Sequence, residues 1–194
     1  MRRHPRAPAD RGSPETGHID YSHRTRPDAT EYAPFHSGYI ALVPEGDVMT
    51  VLRMQGTELG RTLAGIPEER AGFRYADGKW SIRELLGHLI DAERIFMYRV
   101  LRIARGDTTP LPGFEENDYV RAAGSDARTV ADLGDELRVV RESSVRLLDS
   151  LSVESWARRG VASGNTVSVR ALAYITAGHA QHHLRILHER YGVR

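Results

Sequence analysis

Trp80-Ser81-Ile82-Arg83-Glu84-Leu85-Leu86-Gly87-His88-Leu89 spells out the start of a helix in side chains. The Ser81 hydroxyl can accept from the Glu84 amide while the Glu84 carboxylate reaches back to the Ser81 amide. That is a capping box, and Trp80 and Leu85 flank it at the spacing of a hydrophobic staple. Beyond it Ile82, Leu86, Leu89, Phe96 and Val100 recur at helical period until Gly106. The same grammar appears three more times. Asp47 caps a stripe through Val48, Val51, Leu52, Gln55, Leu59 and Leu63 that stops near Gly65 and Pro67. Thr129 starts another, with Val130, Leu133, Leu137, Val140, Leu148 and Leu151, and Ser168 starts a last one that runs to Tyr191, with Gly192 as its stop. Strand patterns are short and scarce. Four amphipathic helices in one domain imply an all-α four-helix bundle. The 106–128 connection is long enough for a crossover, so the order of the helices stays open.

Residues 1–38 read differently. Pro5, Pro8, Pro14, Pro27 and Pro34 stand among charged and polar residues with few aliphatics, so the segment buries too little apolar area to offset its ordering entropy. The expectation is a disordered N-terminal extension over 1–38, with His4, His18, His23 and His36 solvated, and a folded domain over 39–194. A start codon placed too far upstream would produce the same tail.

Composition removes several functions. The chain has 194 residues and no cysteine, which excludes disulfides, iron–sulfur clusters, thiolate zinc sites and a cysteine nucleophile, so thiol chemistry would need an external thiol. A formal net charge of +1 gives no electrostatic reason to expect nucleic acid or an anionic membrane as partner. No apolar run has the length of a membrane span, and the residues after Arg2 and Arg3 are not those of a secretion signal, so a cytoplasmic protein is expected.

Histidine carries the chemistry. His179 and His183 are four residues apart and project from one face of the last helix, within the arc of Leu172, Ile175 and Ile186. They can chelate one divalent ion, and His88 can add a third nitrogen from another helix, leaving a coordination position open. The bland reading is two core imidazoles hydrogen-bonded in place, and the spacing alone permits both. His182 lies on the flank of the arc and His188 on the opposite side. A His179/His182 pair is the weaker alternative.

Glu93 stands in the apolar stripe between Leu89 and Phe96, where an unpaired carboxylate is expensive. It can orient a ligand imidazole, act as a base, or pair with a buried arginine such as Arg170 or Arg185, and the ion pair is preferred. In the 106–128 segment Phe114 and Tyr119 can form a substrate rim over the histidines, or can seal the end of the bundle. No Gly-rich phosphate loop, G-x-S-x-G elbow or H-E-x-x-H motif is present.

The Trp80–Leu89 stretch, with Gly178-His179-Ala180-Gln181-His182-His183-Leu184 and Pro110-Leu111-Pro112-Gly113-Phe114, resembles the DinB/YfiT-like superfamily of metal-binding four-helix bundles over about residues 39–191. The family pattern, one histidine on the second helix and H-x-x-x-H on the fourth, maps onto His88, His179 and His183. The resemblance implies one divalent transition metal, with Zn, Ni, Fe and Co all suited to imidazole. Some members are thiol-dependent transferases or isomerases using bacillithiol, mycothiol or glutathione, while others are described only as metal-dependent hydrolases. The DNA polymerase sharing the family's name is not resembled.

Two mechanisms then compete, with a small-molecule substrate in each. A metal-held external thiol can attack an electrophile as its thiolate, or a metal-bound water can hydrolyse a substrate. The thiol transferase is the preferred expectation. A non-catalytic stress-related or ligand-binding bundle is the reading from a different class. A homodimer is expected to be compatible with an exposed bundle face.

Overall fold

The computed structural model describes residues 22–193. The long helices begin where the capping residues predict. We number the helices α1 Ser37–Ala41, α2 Val48–Ala64, α3 Ile82–Ala104, α4 Glu116–Ala123, α5 Val130–Asp149, α6 Val153–Ala157 and α7 Val169–Glu189. Asp47, Ser81, Thr129 and Ser168 each accept a backbone amide at the start of α2, α3, α5 and α7. At Ser81 both halves of the capping box form, with the Ser81 amide donating to Glu84 Oε2 at 2.8 Å.

These four helices make the bundle, and its order is not sequential. α3 packs against α5 and α7, and α2 packs against the same two, so the consecutive helices α2 and α3 lie on opposite corners. The core divides into two apolar clusters. One holds Met49, Leu52, Val100, Leu148, Trp156 and Leu172. The other holds Leu59, Leu63, Leu86, Leu133, Leu137 and Leu184. Between their positions along the helices lies a layer of buried polar side chains: Gln55 on α2, His88 and Glu93 on α3, Arg141 on α5, His179 and His183 on α7. Because buried polar groups are costly unless partnered, this layer is where a bundle departs from simple packing.

A two-stranded hairpin, β1 Arg159–Ala162 and β2 Asn165–Ser168, leads into α7. Its two-residue turn, Ser163-Gly164, has φ of 51° and 74° at the two positions, the left-handed pair that two-residue hairpins favour. Leu111 pairs with the edge of β1, its amide donating to the Val161 carbonyl at 2.9 Å. This pins the 106–128 connection across the bundle, and α4 occupies part of the span expected as a loop.

The expectation for residues 22–38 is corrected. Three 3-10 turns, Ser22–Arg24, Ala29–Glu31 and Pro34–His36, lie on the bundle and run into α1. Glu31 is buried, accepts from the Ser168 hydroxyl at 2.7 Å, and pairs with Arg170 at the start of α7. Arg26 donates to the carbonyls of Ile40 and Val43 at 2.6 and 2.7 Å. Polar groups, rather than aliphatics, order this segment, which is why hydropathy read it as solvated. His23 packs on Trp156, with ring centroids 5.7 Å apart, and is likewise no bystander. Residues 1–21, with His4 and His18, lie outside the described residues.

Candidate metal centre

Two Gly–His pairs build the site. Gly87 precedes His88 on α3, and a Cβ there would sit 2.1 Å from Ser125 Oγ. Gly178 precedes His179 on α7, and a Cβ there would sit 2.0 Å from the carbonyl oxygen of Tyr39. Each glycine lets a neighbouring segment close over its helix beside the imidazole. Tyr39 thereby brings its ring edge-on to His179 at 5.5 Å and to His182 at 5.4 Å. Phe96 meets His179 edge-on from α3, also at 5.5 Å, and the Trp80 indole covers His88 at 4.7 Å.

Inside this aromatic wall His88, His179 and His183 converge. All three are buried, and each offers one ring nitrogen such that the three nitrogens lie within 4.8 Å of one another. The Nε2 atoms of His88 and His179 are 3.0 Å apart. Burial holds all three imidazoles neutral. It pushes His88 down to about 4, with the neighbouring His182 adding to the effect. Burial takes His179 and His183 well below the ordinary histidine range, and adjacent imidazoles reinforce it. Nδ1 of His183 is buried without a hydrogen-bond partner.

These features fit a divalent transition ion. Metal–imidazole bonds are about 2.0–2.1 Å, so two nitrogens on one ion stand roughly 3 Å apart. Three neutral imidazoles that share a small volume, with too few donors to satisfy their lone pairs, are costly in an apolar wall and well suited to a cation. His182 sits beside His183 at 5.1 Å but is only half-buried, and His188 turns away to the Val193 carbonyl, 2.7 Å from its Nδ1.

The other residues singled out in the sequence fall elsewhere. Glu93 forms a buried ion pair, but its partner is Arg141 on α5 rather than Arg170 or Arg185. Nε and Nη2 of Arg141 each donate to one carboxylate oxygen at 2.8 Å. Arg141 also donates to the Leu52 carbonyl and to Gln55, whose amide donates to the Ala177 carbonyl at 2.8 Å. With both oxygens taken by the guanidinium, Glu93 has the bonding of a structural ion pair rather than of a base. Arg170 pairs with Glu31, and Arg185 with Glu189 on the surface.

Phe114 and Tyr119 pack on each other at 5.1 Å, with Phe114 also under the Arg99 guanidinium. Neither lines the cavity beside the histidines. That cavity, of about 280 Å³, is bounded by His183, Trp80, Lys79, Tyr75, Tyr191 and, from α4, Glu116 and Asn117. The 106–128 segment therefore reaches the site through α4 and not through its aromatics. Their alternation of polar and apolar residues gave no signal for this, because α4 is short and mostly exposed. Burial pushes the Glu116 carboxyl up, and the carboxylate of Glu115 pushes it further.

Known proteins resemble this chain in sequence and in fold. A curated protein of Oceanobacillus iheyensis, named "Putative metal-dependent hydrolase", is 27% identical over 128 residues, 65% of this chain and 73% of its own. The structure of YfiT from Bacillus subtilis, described as "a probable metal-dependent hydrolase with an unusual four-helix bundle topology", superposes with a TM-score of 0.65 at 16% identity, over 87% of this chain and 94% of that one. A mycothiol-dependent maleylpyruvate isomerase superposes with a TM-score of 0.59 at 17% identity, and this chain spans 75% of itself but 60% of that longer protein. At such identities the two structures speak for the fold. No helix among the described residues is long and apolar enough to cross a membrane. The DinB superfamily profile matches residues 52–187, most of the folded chain, and the protein belongs to the DinB superfamily.

Proposed function

We propose that this protein is a metal-dependent enzyme in which His88, His179 and His183 hold one divalent ion that activates a low-molecular-weight thiol for transfer to an electrophilic small molecule. The observation that carries the reading is the convergence of three buried, neutral imidazoles with the His88 and His179 Nε2 atoms 3.0 Å apart. When bound, the ion supplies a positive charge that lowers the pKa of a coordinated thiol and stabilises its thiolate. The chain itself supplies the rest. Trp80 packs on His88, and Phe96 and Tyr39 pack on His179, which holds these imidazoles in place. His183 alone of the triad lines the cavity, which makes that side the route for a thiol and its electrophile. The thiol proton leaves through this polar opening to solvent, the sulfur–carbon bond forms as the bond from that carbon to its leaving group breaks, and the leaving group departs with the electron pair by the same opening. The thiol must be external because the chain has no cysteine.

A second reading, hydrolysis by an activated water in the same position, is favoured by the names of the Oceanobacillus protein and YfiT. Metal-loaded protein incubated with chromogenic electrophiles, with and without each of bacillithiol, mycothiol, glutathione and cysteine, separates them. Turnover that requires a thiol and disappears in His179→Ala supports the transferase. Turnover of an ester panel without thiol supports the hydrolase. Neither, in fully loaded protein, leaves a non-catalytic bundle.

A further inference from the structure

The cavity beside His183 is lined by two side chains of opposite charge. Lys79 and Glu116 both line it, and neither has an ion-pair partner among the described residues. Their neighbours are differently occupied. Arg74 donates to the Lys79 carbonyl and is spent on Glu84 and Asp126. Glu115 is spent on capping α4, accepting from the Asn117 amide at 3.3 Å and its side chain at 3.2 Å. The Tyr191 hydroxyl is engaged with the Trp80 carbonyl at 2.6 Å. Among the described residues, what remains unpaired at the cavity is one ammonium from the loop before α3 and one carboxylate from the start of α4.

We propose that this cavity binds a small zwitterion: a primary ammonium held at Glu116, a carboxylate held at Lys79, and the reacting group directed to His183. A volume of about 280 Å³ accommodates an amino acid or a short derivative of one, and its mixed walls, Trp80 and Tyr75 against Asn117 and Tyr191, suit an amphipathic body. Glu116 is a carboxylate at the cavity wall with no ion-pair partner among the described residues, so a ligand ammonium supplies the missing charge. For a thiol the reading becomes specific: the preferred cosubstrate carries both groups, as cysteine does. This arm rests on the thiol-transfer reading above; the charge-pair arm does not.

The test separates the two. Cobalt-loaded protein is titrated with L-cysteine, with cysteamine, which lacks the carboxylate, and with 3-mercaptopropionate, which lacks the ammonium. Binding is read from the sulfur-to-cobalt absorption, and metal content is measured after each titration. In parallel L-serine is titrated calorimetrically into metal-free protein. L-cysteine is expected to bind tightest. Glu116→Gln should weaken L-cysteine and cysteamine about tenfold and spare 3-mercaptopropionate; Lys79→Met should weaken L-cysteine and 3-mercaptopropionate about tenfold and spare cysteamine. Both residues are exposed, so neither change threatens the fold. Equal losses for all three thiols, or none in either variant, would overturn the zwitterion assignment while leaving thiol binding at the metal intact. L-serine binding that is lost in Glu116→Gln, with no sulfur-to-cobalt band for any thiol, would support the charge pair and sink the thiol chemistry.

Discussion

Nε2 of His88 lies 3.0 Å from Nε2 of His179, across two helices and 91 residues of chain. Two neutral imidazoles at that distance share either one proton or one cation. His183 completes a set of three that a single N–H···N bond cannot satisfy, and its own Nδ1 is buried without a partner. The expected metal stoichiometry is one transition ion per chain. His88→Ala, His179→Ala and His183→Ala should each weaken binding by more than the roughly 10–100-fold typical of outer-shell changes. His182→Ala and His188→Ala should retain the ion. Elemental mass spectrometry on untagged protein purified without chelators decides it, and loss in His182→Ala with retention in His183→Ala would reassign the ligands.

Metal-free protein should be acid-labile. Burial lowers the three imidazoles below their unfolded value of 6.5, to about 4 for His88, so the unfolded chain binds more protons in that window. Their contribution to stability is thus intact above 6.5 and lost as pH falls from 6.5 towards the folded values. For His88 alone the loss between pH 8 and pH 5 is on the order of 2 kcal/mol. Thermal melts across that range should show Tm falling with pH, and replacing all three histidines should flatten the slope.

The Glu93–Arg141 pair should matter for folding and not for metal. Arg141→Leu strands a buried carboxylate, at a cost of about 3–5 kcal/mol, whereas the joint change Glu93→Leu with Arg141→Leu recovers much of it. Denaturant titration measures both. Metal content per folded molecule should be unchanged, and its loss in Glu93→Gln would return Glu93 to the site.

Gly178→Ala should cost about 1–3 kcal/mol or more, because the new methyl meets a backbone carbonyl that cannot move without displacing α1. Gly87→Ala should cost less, since the atom it meets is the rotatable Ser125 hydroxyl, and Ser125→Ala should relieve part of it. Tyr39 fluorescence or near-ultraviolet dichroism would register the α1 shift in the first variant and not in the second.

Removing residues 22–38 should destabilise the bundle, because Glu31 leaves Ser168 and Arg170 without their acceptor at the start of α7. A chain beginning at residue 39 should melt well below one beginning at residue 22. Equal melting of the two would show that this segment rests on the bundle without supporting it.

Local rules determined much of this protein. A cap needs only its own side chain and an amide two or three residues on, and a helix face repeats every few residues. Asp47, Ser81, Thr129 and Ser168 therefore announced the four long helices, and the i, i+4 spacing put His179 and His183 on one face. Tertiary structure alone decided which helices touch. The placement of α2 and α3 on opposite corners put α5 beside both, and this is why Glu93 meets Arg141 rather than an arginine of α7. It also decided that a polar N-terminal segment is ordered by Glu31 and Arg26, and that Glu116 and Asn117, not Phe114 and Tyr119, face the cavity. Partners of buried charges are chosen by whichever arrangement of helices buries the most apolar surface, and that choice is a property of the whole chain with no short-range signature to read.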